Sequence, residues 1–101
     1  MSKSLGILVT SDNHLDKVIE LCKAAKMKEV EVLIFFTHLG TLLTQDARFA
    51  ELEGLGKLAI CNVGFESYGL KKPVIGVDEK DFATQARHAE LIDDCDRYVV
   101  F

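Results

Sequence analysis

The sequence predicts an α/β fold, a compact three-layer α/β/α sandwich on a mostly parallel sheet of about five strands. Three observations point there. Short apolar runs recur at residues 5–10 (LGILVT), 30–37 (VEVLIFFT), 57–61 (KLAIC) and 97–101 (RYVVF). Most of their positions are apolar in succession, as in strands buried on both faces of a parallel sheet. Segments with helical spacing of apolar residues lie between them, the alternation that βαβ units produce. At 101 residues, 49% of them hydrophobic, the chain forms one domain, 1–101, with a modest core.

The elements follow in order. After the first run, Ser11, Asp12 and Asn13 offer side-chain oxygens that can cap a helix, and Asp16 places a carboxylate in its first turn. Leu15, Val18, Ile19, Cys22 and Ala25 then fall on one face. The second run is rich in β-branched and aromatic residues and exits through His38-Leu39-Gly40. Residues 41–55 are expected to be helical in part, with Leu52 and Leu55 inward and Gly54 and Gly56 closing the segment. The third run ends at Cys61, and 62–70 form a short turn or helix. Residues 73–77 (PVIGV) read as a short fourth strand with Pro73 at its start, where a missing N–H matters least. Asp78 is expected to cap a last helix with Phe82, Ala86 and Ala89 inward, and 97–101 close the sheet.

Composition narrows the functions. A net charge of −4 leaves no basic face for nucleic acid. No apolar run approaches the ~18 residues of a membrane span, and the first residues lack the pattern of a signal peptide. Three cysteines are an odd number, and no two are spaced CxxC. That argues against a disulfide framework or structural zinc and points to a reducing, cytoplasmic setting. Asp12, His14, His38 and Cys61 match no metal-site spacing, and no phosphate-binding glycine motif follows a strand. No metal or cofactor is expected. A mean hydropathy of +0.15 on so short a chain suggests apolar surface that a homo-oligomer would cover.

Ligands of open parallel sheets bind outside the carboxyl ends of the strands. Here those ends carry Thr10 to Asn13, Thr37 and His38, and Cys61 and Asn62. If the three strands are neighbours, these residues share one edge. Cys61 would then stand where a helix begins, and amide groups at such a place favour a thiolate, the nucleophilic form of sulfur. His38 could stabilise the thiolate or move protons, while Thr37, Asn62 and Asp12 would support the pocket. Cys22 reads as core packing. Cys95 stands among Asp93, Asp94 and Asp96, whose charge disfavours a thiolate.

The segment LAICNVGFESYGL, preceded by GILVTSDN and VLIFFTHLG and followed by the closing DRYVVF, resembles the DsrE/DsrF/DsrH-like sulfur-relay family over nearly the whole chain. That family includes the sulfur-transfer subunits of tRNA thiolation, among them the TusD type, and of dissimilatory sulfur oxidation. The resemblance implies a flavodoxin-like fold. In its sulfur-carrying members a cysteine follows the third strand and precedes a glycine-apolar pair; here these are Cys61 and Gly69-Leu70. It further implies that Cys61 accepts sulfane sulfur as a persulfide and passes it from a donor protein to an acceptor protein. Homo- or hetero-oligomers, often trimers or hexamers, are implied as well. The competing expectations are a non-catalytic assembly or binding module in which Cys61 only packs, and a peroxide-reducing thiol protein using Thr37 and Arg48.

Overall fold

The structure, a computed structural model, describes residues 3–101. Five strands form one sheet: β1 (Lys3–Val9), β2 (Val30–Phe36), β3 (Lys57–Cys61), β4 (Phe82–Ala83) and β5 (Arg97–Val100). Their order is β4-β3-β2-β1-β5, and every pairing is parallel. Three α-helices join them, α1 (Leu15–Met27), α2 (Asn62–Ser67) and α3 (Gln85–Asp94). Two 3-10 segments, His38–Gln45 and Ala47–Leu52, carry the chain from β2 to β3. This is the expected three-layer, flavodoxin-like α/β architecture.

The two faces of the sheet are covered unequally. On one, the buried stripe of α1 (Leu15, Val18, Ile19, Cys22, Ala25) packs with Ile7, Val9, Ile34, Phe36 and Ile60. Phe49 and Leu52 from the second 3-10 segment and Phe65 from α2 complete this core. On the other face Leu8, Phe35, Ala59 and Cys61 pack with Leu91 of α3. Gly6 makes that contact possible, because a Cβ there would stand 2.6 Å from Leu91 Cδ2 and 2.7 Å from Cys95 Sγ. Removal of this much apolar surface from water is the main force holding the layers together.

Four local expectations are corrected. Residues 73–77 are not a strand: Val77 N–H donates to Val74 O at 3.2 Å, and Gly76 closes the turn at a φ of 84°. An apolar string can bury one side chain, Val74, without joining the sheet. The fourth strand is instead Phe82–Ala83, paired with Ile60 and Cys61. The last helix starts at Gln85, capped by Thr84, whose Oγ1 accepts from the Ala86 N–H at 3.2 Å. Asp78 precedes only a short 3-10 turn, Glu79–Asp81. Phe82 therefore belongs to β4, Ala86 and Ala89 are exposed, and Leu91 faces the core. Finally, α1 is preceded by His14 in the capping position without a side-chain cap bond; none of Ser11, Asp12 and Asn13 serves.

Candidate functional site

The strand order makes β1, β2 and β3 neighbours, so their carboxyl ends do share one edge. Phe35 pairs with Ala59, and two residues on, Thr37 just past β2 and Cys61 at the end of β3 lie on the same face. That face is the one α3 covers. Cys61 closes β3 and immediately precedes α2, so its position is fixed from both sides. Its side chain is buried, with 6% exposure.

A pocket of about 440 Å³ opens on this edge, lined by Thr37, His38, Cys61, Val63, Gly64, Ser67, Tyr68, Thr84 and Gln85. The first residue of α3, Gln85, reaches into it. Its Nε2 donates to Thr37 Oγ1 at 3.1 Å and to Cys61 Sγ at 3.6 Å. Thr37 is held in turn by the backbone: its N–H donates to Val9 O and its carbonyl accepts from the Gly40 N–H, each at 2.9 Å. His38 is exposed, with a φ of 50°, and its carbonyl accepts from Thr41 Oγ1 at 2.8 Å. Gly64 admits this loop against α2, since a Cβ there would lie 3.2 Å from Thr41 Cγ2 and 3.7 Å from the His38 nitrogen.

The structure thus brings three of the expected residues, Cys61, Thr37 and His38, to one pocket. Asn62 does not line it. Its Nδ2 donates to Glu66 Oε1 at 3.1 Å, and its Oδ1 is buried without a hydrogen-bond partner. Asp12 is exposed just beyond β1 and does not line it either. Gln85, Thr84 and Ser67, to which the sequence assigns no role, do. The Thr84 cap signal is legible in the sequence; the approach of α3 to Cys61 depends on the strand order.

The other two cysteines occupy different surroundings. Cys22, on the inner face of α1, is wholly buried, and burial pushes its thiol up to about 11, because a charged sulfur there would lose its water. Cys95 is half-buried against Gly6, and its Sγ donates to Ile92 O at 3.7 Å. All three are free thiols. Among the described residues no group of three His, Cys, Asp or Glu side chains converges as a metal site would require. Among the described residues no helix is long and apolar enough to cross a membrane.

The pocket therefore sets the Cys61 sulfur, with an amide donor beside it, at the carboxyl edge of the sheet. Compared with family models, curated proteins and solved structures, the chain matches none.

Proposed function

We propose that this protein is a sulfur carrier of the DsrE-like kind, with Cys61 as the residue that holds the cargo. The observation carrying this reading is the Cys61 thiol at the end of a central strand, in a pocket and beside the Gln85 amide. In the reaction the Cys61 thiolate attacks the outer sulfur of a donor persulfide. A new S–S bond forms, the donor's own S–S bond breaks, and the donor leaves as a thiolate. The sulfane sulfur now sits on Cys61 as a persulfide. An acceptor thiolate repeats the exchange and returns Cys61 to its starting form, with no net oxidation. The Gln85 amide donates its hydrogen bond to the attacking sulfur itself, Cys61 Sγ. Donor and acceptor are taken to be protein thiols, and the setting a reducing cytoplasm.

Exposed Val63 and Tyr68 at the pocket, with exposed Leu39 beside His38, support an assembly around the site. We place a homo-oligomer, a trimer or hexamer, in this reading. The test is intact-mass measurement after incubation with a small persulfide donor. The wild type gains the mass of one sulfur atom, and Cys61→Ala gains none. Equal gain in both rejects the reading. An unmodified, unreactive Cys61 in a stable oligomer would favour the packing role instead.

A further inference from the structure

Gln85 joins the cysteine from far along the chain, 24 residues from Cys61 and 48 from Thr37. An amide nitrogen carries two protons. Here Thr37 Oγ1 accepts at 3.1 Å and Cys61 Sγ at 3.6 Å, so both have acceptors. Thr37 is 3% exposed and is held by the backbone of β1 and of the loop that follows it. Its hydroxyl is a fixed anchor for the otherwise exposed Gln85. We infer that Gln85 is a positioning residue for the Cys61 sulfur, oriented by Thr37, and that its amide sets how readily that sulfur becomes an anion.

The surroundings give this one neutral donor its leverage. Besides Cys61, the titratable side chains lining the pocket are His38 from the loop after β2 and Tyr68 after α2. On α2, Glu66 is turned to Asn62. On α3, Arg87 is bound to Asp81 at 3.2 Å, and His88 stacks on Phe35 and contacts Tyr98. No carboxylate, lysine or arginine lines the pocket. A hydrogen bond to an ionised acceptor is roughly twice as strong as one to a neutral acceptor. The donor consequently favours thiolate over thiol at Sγ. The consequence for transfer rests on the sulfur-carrier reading; the effect on the thiol does not.

The experiment is the pH profile of iodoacetamide alkylation at Cys61, read from its peptide, in the wild type, Gln85→Met and Gln85→Glu. Methionine keeps the length and removes the donor. Glutamate puts a negative charge beside the sulfur. At neutral pH, alkylation is expected to slow about fivefold in Gln85→Met and about tenfold or more in Gln85→Glu. Both profiles move to higher pH and reach the wild-type plateau. Glutamate in the first turn of α3 complements the helix dipole, so thermal stability holds or rises while reactivity falls. Loss of folding cannot mimic that opposition.

Profiles that coincide with the wild type overturn the inference. So does a lowered plateau at unchanged pH dependence, which would mean that Gln85 governs access alone. Sulfur uptake by the wild type is measured beside it. Uptake with coincident profiles rejects the role of Gln85 and leaves the carrier. Shifted profiles without uptake reject the carrier and leave Gln85.

Discussion

At the scale of single residues, the three cysteines differ most in their burial. Cys22 lies in the core, where burial raises its thiol from 9.0 to about 11. Between those values the unfolded chain has released this proton and the folded chain has not. Stability is then lost as pH rises through that window, by roughly 2 to 3 kcal/mol. Urea melts from pH 8 to 11 should show the loss, and Cys22→Ala should remove this part of it. Gly6 is the other residue with a sharp consequence. Gly6→Ala drives a methyl into Leu91 and Cys95 and should cost about 1 to 3 kcal/mol, measured by the same melts. Cys61, Thr37 and His38 were legible as strand-end residues because each apolar run stops there. Gln85 was not, since nothing local marks it and its contacts span 24 and 48 residues.

Elements were legible where composition and conformation agree. The strands from Lys3, Val30, Lys57 and Arg97 and helix α1 follow their apolar patterns to within one or two residues. The stretch around Val74 was misread because its β-rich composition competes with Gly76, whose positive φ turns the chain. The last helix was misread because small apolar residues suggested a buried face at Ala86 and Ala89, whereas α3 turns Leu91 inward. Thr84 fixes where that helix begins, and with it where Gln85 stands. Thr84→Ala should destabilise the protein by about 1 kcal/mol, seen as a lower melting midpoint. By loosening the start of α3 it should also slow Cys61 alkylation.

At the scale of the whole molecule, the parallel sheet followed from the alternation of runs and helical segments. The strand order did not, since it rests on contacts distant in sequence. The order β4-β3-β2-β1-β5 places the Cys61 pocket on the carboxyl edge and leaves β5 at the margin of the sheet. Tyr98 and Val100 on β5 are exposed, as is Ile92 near the end of α3. Edge strands with exposed apolar side chains tend to associate. In the proposed homo-oligomer, Val100→Lys should lower the sedimenting mass if β5 lies in the contact. An unchanged mass would place the contact elsewhere, as at Val63 and Tyr68. The central claim is that Cys61 holds the sulfur, and the most direct measurement locates that sulfur. The wild type is given a limiting amount of a small persulfide donor, digested and mapped by mass. The account predicts the added sulfur on the Cys61 peptide, with Cys22 and Cys95 unmodified; sulfur on Cys95, or none on Cys61, would contradict it.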